Sequence, residues 1–289
     1  MSEIGKKILI VGLVILMVCL AIWISWDNGR IVVTTYEINN KRLPEVFTGY
    51  KIVQVSDLHN DEFGEKNERL LAKIKEQKPD MIAITGDLLD SRRTDIEKAL
   101  NFVKGAVEIA PCYYVTGNHE SRMPKEYKKL EKGMRDAGAN VLRNETIIID
   151  RDGEQMAVLG IDDPRFVIAT DRVKKMERIL GETMTALKKG VPEEAFMLLL
   201  SHRPELFDLY CMQKMDVVLS GHVHGGQIRL PFIGGIIGPG QGILPDYDAG
   251  VYTKENTSMI LSRGLGQSIV PFRINNPPEL VVVTLNCAQ

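Results

Sequence analysis

The chain has 289 residues, a net charge of −2 and 44% hydrophobic residues, which suits an ordinary globular protein and excludes disorder as its main character. Its lysines and arginines form no obvious basic patch along the chain, so no nucleic-acid partner is expected. A chain of this length can bury its core as one large domain or two small ones.

The first predicted element is an apolar segment without a charge, from Ile8 to Trp26. As a helix it would be about 28 Å long at roughly 1.5 Å per residue, enough to cross the hydrocarbon core of a bilayer. Lys6 and Lys7 precede it, and Trp23 and Trp26 lie near its end, where aromatic belts occur. We predict an uncleaved, single-pass anchor in the cell membrane, with a cleaved signal peptide as the competing interpretation.

This segment divides the chain into a transmembrane anchor, residues 1–30, and one globular domain, residues 31–289. Lys6 and Lys7 favour an amino terminus in the cytoplasm and an exported domain. Arg30 lies close to the membrane on the other side and weakens that argument. We therefore expect an extracytoplasmic domain, with the cytoplasmic face as the alternative.

The globular part begins with alternating strands and helices. The β-rich segment Ile31–Ile38 is expected to pair with the main sheets. From Lys51 to about Thr116 the pattern is strand, helix, strand, helix, strand, with helices around Glu65–Gln77 and Thr94–Gly105. Repeated βα units predict parallel strands with right-handed crossovers.

The rest of the chain adds two more helices and a hairpin. Helices are expected near Pro124–Gly138 and over Asp171–Lys189. The strands Glu145–Asp150 and Gln155–Gly160 flank an Asp-Gly step, which is a hairpin signal. The closing run Glu279–Leu285 is typical of a strand. The economical arrangement is an α/β fold with two mixed β-sheets flanked by helices.

Polar clusters follow five of the apolar, strand-like runs, and together they contain all five histidines of the chain. In α/β sheets, ligands bind beyond the carboxyl ends of the strands, so these clusters are expected to converge on one site. Imidazole binds borderline divalent ions at neutral pH, which predicts a metal site. The clusters are Asp57-Leu58-His59, Gly86-Asp87, Gly117-Asn118-His119-Glu120, Ser201-His202 and Gly221-His222-Val223-His224.

In this order, and with Asp90 three residues after Asp87, the clusters resemble the five-block signature of the calcineurin-like metallophosphoesterases. Val55-Ser56 and the segments Arg263–Gly266 and Arg273–Glu279 resemble the membrane-anchored bacterial phosphodiesterases of that family. The likeness extends over about residues 31–285. It implies a sandwich of two mixed sheets between helices, in four layers, and a metal-dependent hydrolase acting on phosphoric ester or anhydride bonds.

The resemblance also implies two divalent metal ions, bridged by Asp87. Two ions about 3.5–4 Å apart can clamp the attacking and leaving oxygens of an in-line displacement and make hydroxide available near neutral pH. Imidazole, amide and carboxylate ligands suit manganese, iron or zinc better than calcium. The other ligands would be Asp57, His59 and His224 for the first ion and Asn118, His202 and His222 for the second.

Three further side chains beside these ligands have candidate roles. His119 matches the family histidine that does not bind metal, and it would protonate the leaving oxygen or hydrogen-bond the phosphoryl group. Asp90 matches the carboxylate that orients this imidazole, with a helix cap or a loop acid as the alternative. Glu120 is either a hydrogen-bond acceptor for a ligand histidine or a plain loop acid.

One position departs from part of the family. Ser91 stands where the family's protein serine/threonine phosphatases carry an arginine, which disfavours a phosphoprotein substrate. Arg203 and Arg229 are candidates for phosphate binding, with surface salt bridges as the alternative for both.

The stretch Leu230–Leu244, directly after the histidine pair, is too rich in glycine for a helix and unusually apolar for a loop. One hypothesis is an apolar lip that receives the lipid part of an amphiphilic phosphodiester. The alternative is a loop that packs on the protein's own core.

We therefore predict a phosphoesterase that hydrolyses a lipid-linked or nucleotide-linked phosphodiester or pyrophosphate, with a role in lipid metabolism and no obligate protein partner. The sharpest alternative substrate implied by the resemblance is UDP-2,3-diacylglucosamine in lipid A synthesis, which requires a domain facing the cytoplasm. A metallo-β-lactamase-type hydrolase is disfavoured because Gly225-Gly226 follow the histidine pair. A catalytically silent, membrane-anchored binding module is the alternative from another class.

Overall fold

Two six-stranded β-sheets form the centre of the protein, whose computed structural model describes residues 2–169, 172–267 and 270–288. Numbered along the described chain, the strands are β1 Val32–Asn40, β2 Tyr50–Val55, β3 Met81–Thr85, β4 Cys112–Val115, β5 Asn140–Val141, β6 Glu145–Arg151, β7 Glu154–Gly160, β8 Phe196–Leu200, β9 Val217–Ser220, β10 Arg229–Leu230, β11 Gly234–Gly235, β12 Ile237–Gly238, β13 Gly242–Ile243, β14 Gly250–Lys254, β15 Thr257–Leu261 and β16 Glu279–Cys287. The first sheet has the order β1-β16-β2-β3-β4-β5, and the second has the order β14-β15-β9-β8-β7-β6. Both sheets contain parallel and antiparallel pairs and are therefore mixed, as predicted.

The helices of the described chain lie at the amino terminus, on the outer faces of the sheets and, in one short case, directly after a strand of the first sheet. They are α1 Glu3–Gly29, α2 Glu68–Glu76, α3 Ile96–Val107, α4 Asn118–Ser121, α5 Pro124–Asp136, α6 Val173–Leu187 and α7 Phe207–Met212. Side chains of α2, α3 and α5 pack against the first sheet, and those of α6 and α7 pack against the second. The helix predicted over Glu65–Gln77 begins as a 3₁₀ turn, Glu65–Asn67, before α2.

The period-two alternation of strand side chains explains the layers. In β3, Ala83 faces the second sheet while Ile82 faces the helices. In β8, Leu198 faces the first sheet while Leu199 packs with the helices of the other side. Since successive side chains point to opposite faces, each of these strands contributes to two cores. The result is the predicted sandwich of two mixed sheets flanked by helices.

The predicted hairpin and the predicted first strand are both confirmed. β6 and β7 pair antiparallel along their whole length, and the turn residues Asp152 and Gly153 have φ angles of 55° and 86°. Two successive positive φ angles are the mark of the hairpin turn that an Asp-Gly step favours. The β-rich run Ile31–Ile38 forms most of β1, which pairs in parallel with β16.

The apolar amino-terminal segment is a single helix of 27 residues, α1, whose central part is exposed. Its last turn is attached to the globular domain through Asn28. The Asn28 side-chain amide donates to the Arg273 carbonyl oxygen at 2.8 Å, and its Oδ1 accepts from the Arg273 N–H at 2.7 Å. Gln267 also donates to this Oδ1, at 2.9 Å. The end of α1 is thereby fixed against the domain.

Candidate metal centre and active site

The five polar clusters predicted to converge do meet at the carboxyl ends of β2, β3, β4, β8 and β9. The first three strands are neighbours in one sheet and the last two are neighbours in the other. Each cluster therefore reaches the site from the end of a rigid, buried strand. The five histidines are all at most 6% exposed.

One group of ligand-type side chains consists of Asp57, His59 and His224, whose nearest ligand atoms all lie within 4.8 Å of one another. The Nε2 atoms of His59 and His224 are 3.1 Å apart. Asp57 Oδ1 lies 3.5 Å from His224 Nε2 and 3.8 Å from His59 Nε2. Two imidazole nitrogens and a carboxylate oxygen therefore point at one small volume.

A second group consists of Asp87, His202 and His222, again within 4.8 Å of one another. Asp87 Oδ2 lies 3.2 Å from His202 Nε2 and 3.7 Å from His59 Nε2, so this oxygen stands between the two groups. Asn118 follows β4 and lines the same cavity as Asp87. Within the part of the chain that the structure describes, the buried Asn118 Oδ1 has no hydrogen-bond partner.

Five of the seven predicted ligands have a left-handed backbone conformation. Their φ angles are 51° at Asp57, 49° at His59, 50° at Asp87, 76° at His222 and 51° at His224. A positive φ is uncommon outside glycine and costs on the order of 1–3 kcal/mol at each residue, so it persists only where the surroundings enforce it. Such strain, concentrated at one place in the fold, indicates a functional site.

Two glycines of the sequence signature allow this close approach of backbone to carboxylate. A methyl group added to Gly117 would collide with the carboxylate of Asp87, and one added to Gly221 would collide with that of Asp57. Only a residue without a side chain fits at these two positions beside the ligands.

The donor set fits divalent transition-metal ions. Burial lowers the pKa of His224 to about 4 and that of His59 well below its ordinary value, so both imidazoles are neutral and offer lone pairs. The Nδ1–H of His202 donates to the Thr85 carbonyl oxygen at 2.8 Å, which turns Nε2 towards Asp87. Burial opposes protonation of His202, but the adjacent Asp87 raises its pKa to about 10. In the absence of metal a proton is therefore held beside Asp87, where a cation would replace it.

His119 lies next to the first group, with its ring centroid 4.5 Å from that of His59. The Ser91 backbone N–H donates to His119 Nδ1 at 3.0 Å. Because Nδ1 accepts this hydrogen bond, the neutral imidazole carries its proton on Nε2. Ser91 stands where the family's protein serine/threonine phosphatases carry an arginine. Its backbone N–H thus sets the tautomer of His119.

Asp90 faces two imidazoles and also holds its own loop. Its Oδ2 is 3.5 Å from His59 Nδ1 and 4.0 Å from His119 Nδ1, so the carboxylate lies nearer to the ligand histidine. Its Oδ1 accepts from the backbone N–H groups of Arg92 and Arg93, at 2.7 and 3.1 Å. Both roles considered for Asp90 from the sequence therefore occur in the structure. Oδ2 faces the imidazoles, and Oδ1 stabilises the loop.

Glu120 has a role that neither interpretation from the sequence anticipated. Its Oε2 accepts from the backbone N–H groups of Asp87 and Gly117, at 3.1 and 2.8 Å, and its Oε1 accepts from that of Leu89 at 3.0 Å. The buried carboxylate therefore joins the loop after β3 to the loop after β4. Four of the predicted site residues depend on this junction. The loop after β3 carries Asp87 and Asp90, and α4, directly after the loop that follows β4, carries Asn118 and His119.

We expect Glu120→Ala to lower the free energy of unfolding by about 3 kcal/mol or more, because each of three buried donors loses its acceptor at roughly 1–3 kcal/mol apiece. Urea unfolding followed by circular dichroism measures this change. Glu182→Ala, at an exposed position on α6, is the matched control and should change stability by less than about 0.5 kcal/mol. Equal effects of the two substitutions would contradict the role of Glu120.

Two buried arginines lie behind the histidine pair. Arg203 Nη1 donates to His222 Nε2 at 3.1 Å, and Arg203 Nε pairs with Asp163 at 2.5 Å. Arg273 Nη2 lies 3.4 Å from His224 Nδ1. The expectation of a surface salt bridge is wrong for Arg203, which is 2% exposed and forms its ion pairs in the interior. Both guanidinium groups place positive charge at the back of the site.

Arg122 lines the cavity, although it was not among the arginines predicted to bind phosphate. It is exposed, lies three residues after His119, and shares the cavity wall with Asp87 and His119. In the described parts of the chain the Arg122 side chain has no hydrogen bond or ion pair. Arg229, by contrast, is paired with Asp248 at 3.0 Å, in line with the salt bridge expected for it.

The cavity over these residues has a volume of about 330 Å³. Its polar wall holds predicted ligands together with His119 and Arg122, and its other wall is apolar. Part of the predicted lip lines this cavity, whereas Phe232 is fully exposed and lies outside it. The apolar wall consists of Val223, Ile228, Ile236, Ile237, Pro239 and Val270.

The chain has sequence relatives in bacteria and in animals. YkuE, an uncharacterized metallophosphoesterase of Bacillus subtilis, is 31% identical over 265 residues, which covers 87% of this chain and 84% of that protein. The phosphodiesterase YaeI of Escherichia coli is 27% identical over 240 residues, 82% of each chain. A transmembrane protein with a metallophosphoesterase domain from Danio rerio is 27% identical over 89% of this chain and 57% of that protein.

The family model for calcineurin-like phosphoesterases matches residues 50–226, more than half of the chain and the whole span from β2 to the histidine pair. The signature residues of that span lie together at one buried site. The chain therefore belongs to the calcineurin-like phosphoesterase family and is a metal-dependent hydrolase of phosphoric esters.

Proposed function

We propose that the protein is a membrane-anchored phosphodiesterase with two divalent metal ions in its active site. The observation that carries this proposal is the position of Asp87 Oδ2, which lies 3.2 Å from an imidazole of one ligand group and 3.7 Å from an imidazole of the other. A carboxylate that lies between imidazoles of two ligand groups suits a pair of cations, whose mutual repulsion a shared anion offsets.

Asp57, His59 and His224 would hold one ion, Asn118, His202 and His222 the other, and Asp87 would bridge them. When bound, manganese, iron or zinc would polarise the phosphoryl oxygens and supply hydroxide near neutral pH. The carbonyl of Thr85 and the carboxylate of Asp90 would keep the imidazoles of His202 and His59 in the tautomer that offers Nε2.

His119 would donate a proton from Nε2 to the leaving oxygen of the ester in its protonated, imidazolium form, which leaves a neutral imidazole. In the neutral imidazole, the hydrogen bond from Ser91 to Nδ1 keeps the remaining proton on Nε2, where it would hydrogen-bond the phosphoryl group. Burial lowers the pKa of His119, and Asp90, whose Oδ2 lies 4.0 Å from Nδ1, opposes this shift and favours the imidazolium form. The neutral imidazole would then regain a proton from solvent before the next turnover.

Arg122 would bind a non-bridging oxygen of the substrate, since its charge lines the cavity without an acidic partner among the described residues. We expect Arg122→Gln to raise KM about tenfold or more with a smaller change in kcat, because a hydrogen bond between charged groups contributes about 1.5–3 kcal/mol. Steady-state kinetics measures both constants, with Arg178→Gln on the exposed face of α6 as the control. A tenfold fall in kcat at constant KM would contradict a binding role.

A lipid-linked diester is the substrate class that the cavity favours. A phosphodiester carries a second substituent, and the apolar wall opposite the ligands provides a surface for it. The relative YaeI is named a phosphodiesterase, which supports the same bond type. UDP-2,3-diacylglucosamine is one amphiphilic pyrophosphate of this class, and it becomes the leading candidate if the domain faces the cytoplasm.

The anchor would be residues 1–30, with the catalytic domain in residues 31–289. The 27-residue exposed helix α1 supports a single membrane crossing, and relatives named as transmembrane proteins support membrane association. Lys6 and Lys7, which precede the apolar segment, favour a domain outside the cytoplasm.

The test of this function is hydrolysis of bis-p-nitrophenyl phosphate and p-nitrophenyl phosphate by the full chain in detergent, with manganese and with chelator. We expect diester hydrolysis that depends on the metal and exceeds monoester hydrolysis. A dialkyl phosphate series should show kcat/KM rising with chain length, because the apolar wall gains contact area. Absence of turnover in folded, metal-loaded protein would overturn the proposal and favour the binding module.

A further inference from the structure

The segment after the histidine pair carries an exposed apolar ridge beside the metal cavity. No charged residue occurs from position 230 to position 244. Scattered exposed apolar residues are ordinary, but a contiguous group of large ones marks an interaction surface. The ridge consists of Phe232, Ile233, Ile237, Ile243 and Leu244, which are between 55% and 109% exposed.

The ridge is a fixed projection and not an unstructured loop. β10 pairs with β11, and β12 pairs with β13, so two short antiparallel ribbons support it. The Gly235 N–H donates to Asp248 Oδ2 at 2.6 Å, and Gln241 exchanges two hydrogen bonds with the Tyr247 backbone. The alternative predicted from the sequence was a loop packed on the protein's own core. Ile236, which lines the cavity, fits that alternative, but the exposed side chains of the ridge do not.

The base of the ridge is tied to the segment that holds the end of α1. Gln227 Nε2 donates to the Phe272 carbonyl oxygen at 2.6 Å, and the Arg229 N–H donates to the Ile274 carbonyl oxygen at 3.0 Å. Arg273, between those two acceptors, makes both backbone hydrogen bonds with Asn28 of α1.

The same segment also contacts the apolar part of α1 and the metal cavity. Pro271 and Phe272 line a groove together with Ala21 and Ile24 of the helix, and Phe272 is 40% exposed. Val270, one residue earlier, lines the cavity that contains His119. One short stretch of chain therefore sets the cavity mouth and the ridge close to the membrane helix.

We propose that the ridge inserts into the surface of the bilayer that holds α1, so that the active site takes the phosphodiester headgroup of a lipid directly from the membrane. The absence of charge from the ridge sequence suits the boundary between headgroups and acyl chains. This inference rests on the proposed function and narrows its substrate to lipids that remain in the bilayer during hydrolysis.

The contact is tested by tryptophan fluorescence in vesicles of phosphatidylcholine, with and without bromine on the acyl chains. The full chain is reconstituted with Trp23→Phe and Trp26→Phe, and a single tryptophan is then introduced by Phe232→Trp. As a control, Ile148→Trp places the reporter at a 39% exposed site on β6, the far edge strand of the second sheet.

We expect brominated lipid to lower the emission from position 232 at least about twofold, because interfacial segments bury their apolar side chains by roughly 5–10 Å. Emission from position 148 should not change. Equal quenching at the two positions would overturn the proposal, whether the ridge is solvated, covers a second copy or binds another protein.

An activity measurement separates this inference from the proposed function. In the full chain, the pair Phe232→Ser and Ile233→Ser should leave hydrolysis of soluble bis-p-nitrophenyl phosphate unchanged, because neither side chain lines the cavity. Hydrolysis of a phosphodiester lipid in vesicles should fall about tenfold as membrane contact is lost. Equal loss on both substrates would overturn the ridge proposal. If the wild-type chain does not hydrolyse the soluble diester, the proposed function is overturned instead. The quenching experiment at position 232 then still tests whether the ridge contacts the membrane.

Discussion

Asp87→Asn is expected to lower kcat/KM for bis-p-nitrophenyl phosphate by about a thousandfold or more. The substitution preserves the shape of the side chain and the oxygen that accepts from the His119 N–H at 2.8 Å, but it removes the negative charge between the two ligand groups. Two cations would then face each other without a shared anion, and the several kcal/mol that a metal pair contributes to the transition state would be lost.

Metal analysis of the same samples should show fewer than two ions per chain in Asp87→Asn. Asp136→Asn is the matched control, because its carboxylate is 61% exposed and pairs with Lys132 on the surface of α5. It should keep wild-type activity and metal content. A folded Asp87→Asn protein with two ions and wild-type kcat/KM would contradict the bridging role.

His119→Ala is expected to lower kcat by about a hundredfold to ten-thousandfold while the metal content stays unchanged, because the chain loses a general acid and not a ligand. The loss should be smaller for p-nitrophenyl esters than for alkyl esters, since p-nitrophenolate leaves readily without a proton whereas an alkoxide does not. Parallel kinetics on the two ester types measures this difference.

Metal content also distinguishes the two roles open to His119. Its imidazole lies within 4.8 Å of ligand atoms of His59 and Asp90, which is the spacing of a group that could hold a metal ion. Loss of one ion per chain from His119→Ala, with equal effects on both esters, would contradict the acid role. A conservative substitution, His119→Gln, keeps a hydrogen-bond donor and should retain binding without restoring proton transfer.

Local patterns in the sequence predicted much of the fold. The alternation of β6 and β7 and the Asp-Gly step between them follow directly from strand and turn geometry, and the structure confirms both. The start of the helix predicted at Glu65 differs because Lys66 and Asn67 adopt φ angles of 50° and 64°, which a right-handed α-helix does not allow. Helical periodicity does not report such a local backbone deviation.

The members of the candidate site could also be predicted, because each follows an apolar strand, but several of their contacts could not. Asp163 and Arg203 are distant in sequence, and they meet because β7 and β8 are parallel neighbours with adjacent carboxyl ends. Glu120 contacts backbone groups of two loops, and a backbone N–H carries no signal in the sequence. These interactions depend on which strands and loops become neighbours in the folded chain, and a local sequence pattern does not specify that.

The exposed ridge shows a similar limit. The uncharged stretch 230–244 was consistent with a lipid-binding lip or with a loop packed on the core, since both bury apolar side chains. In the structure the stretch divides, with Ile236 in the cavity wall and Phe232 in solvent. The pairing of the two short ribbons and the hydrogen bonds of Asp248 and Gln241 determine which side chains face the cavity and which face solvent.

The most direct test of the central claim is a manganese titration of the chelator-treated full chain, with bound metal and bis-p-nitrophenyl phosphate hydrolysis measured on the same samples. A dinuclear centre bridged by Asp87 predicts that activity rises mainly with the second equivalent and saturates near two ions per chain. Full activity at one ion per chain, or activity that does not depend on bound metal, would contradict the account.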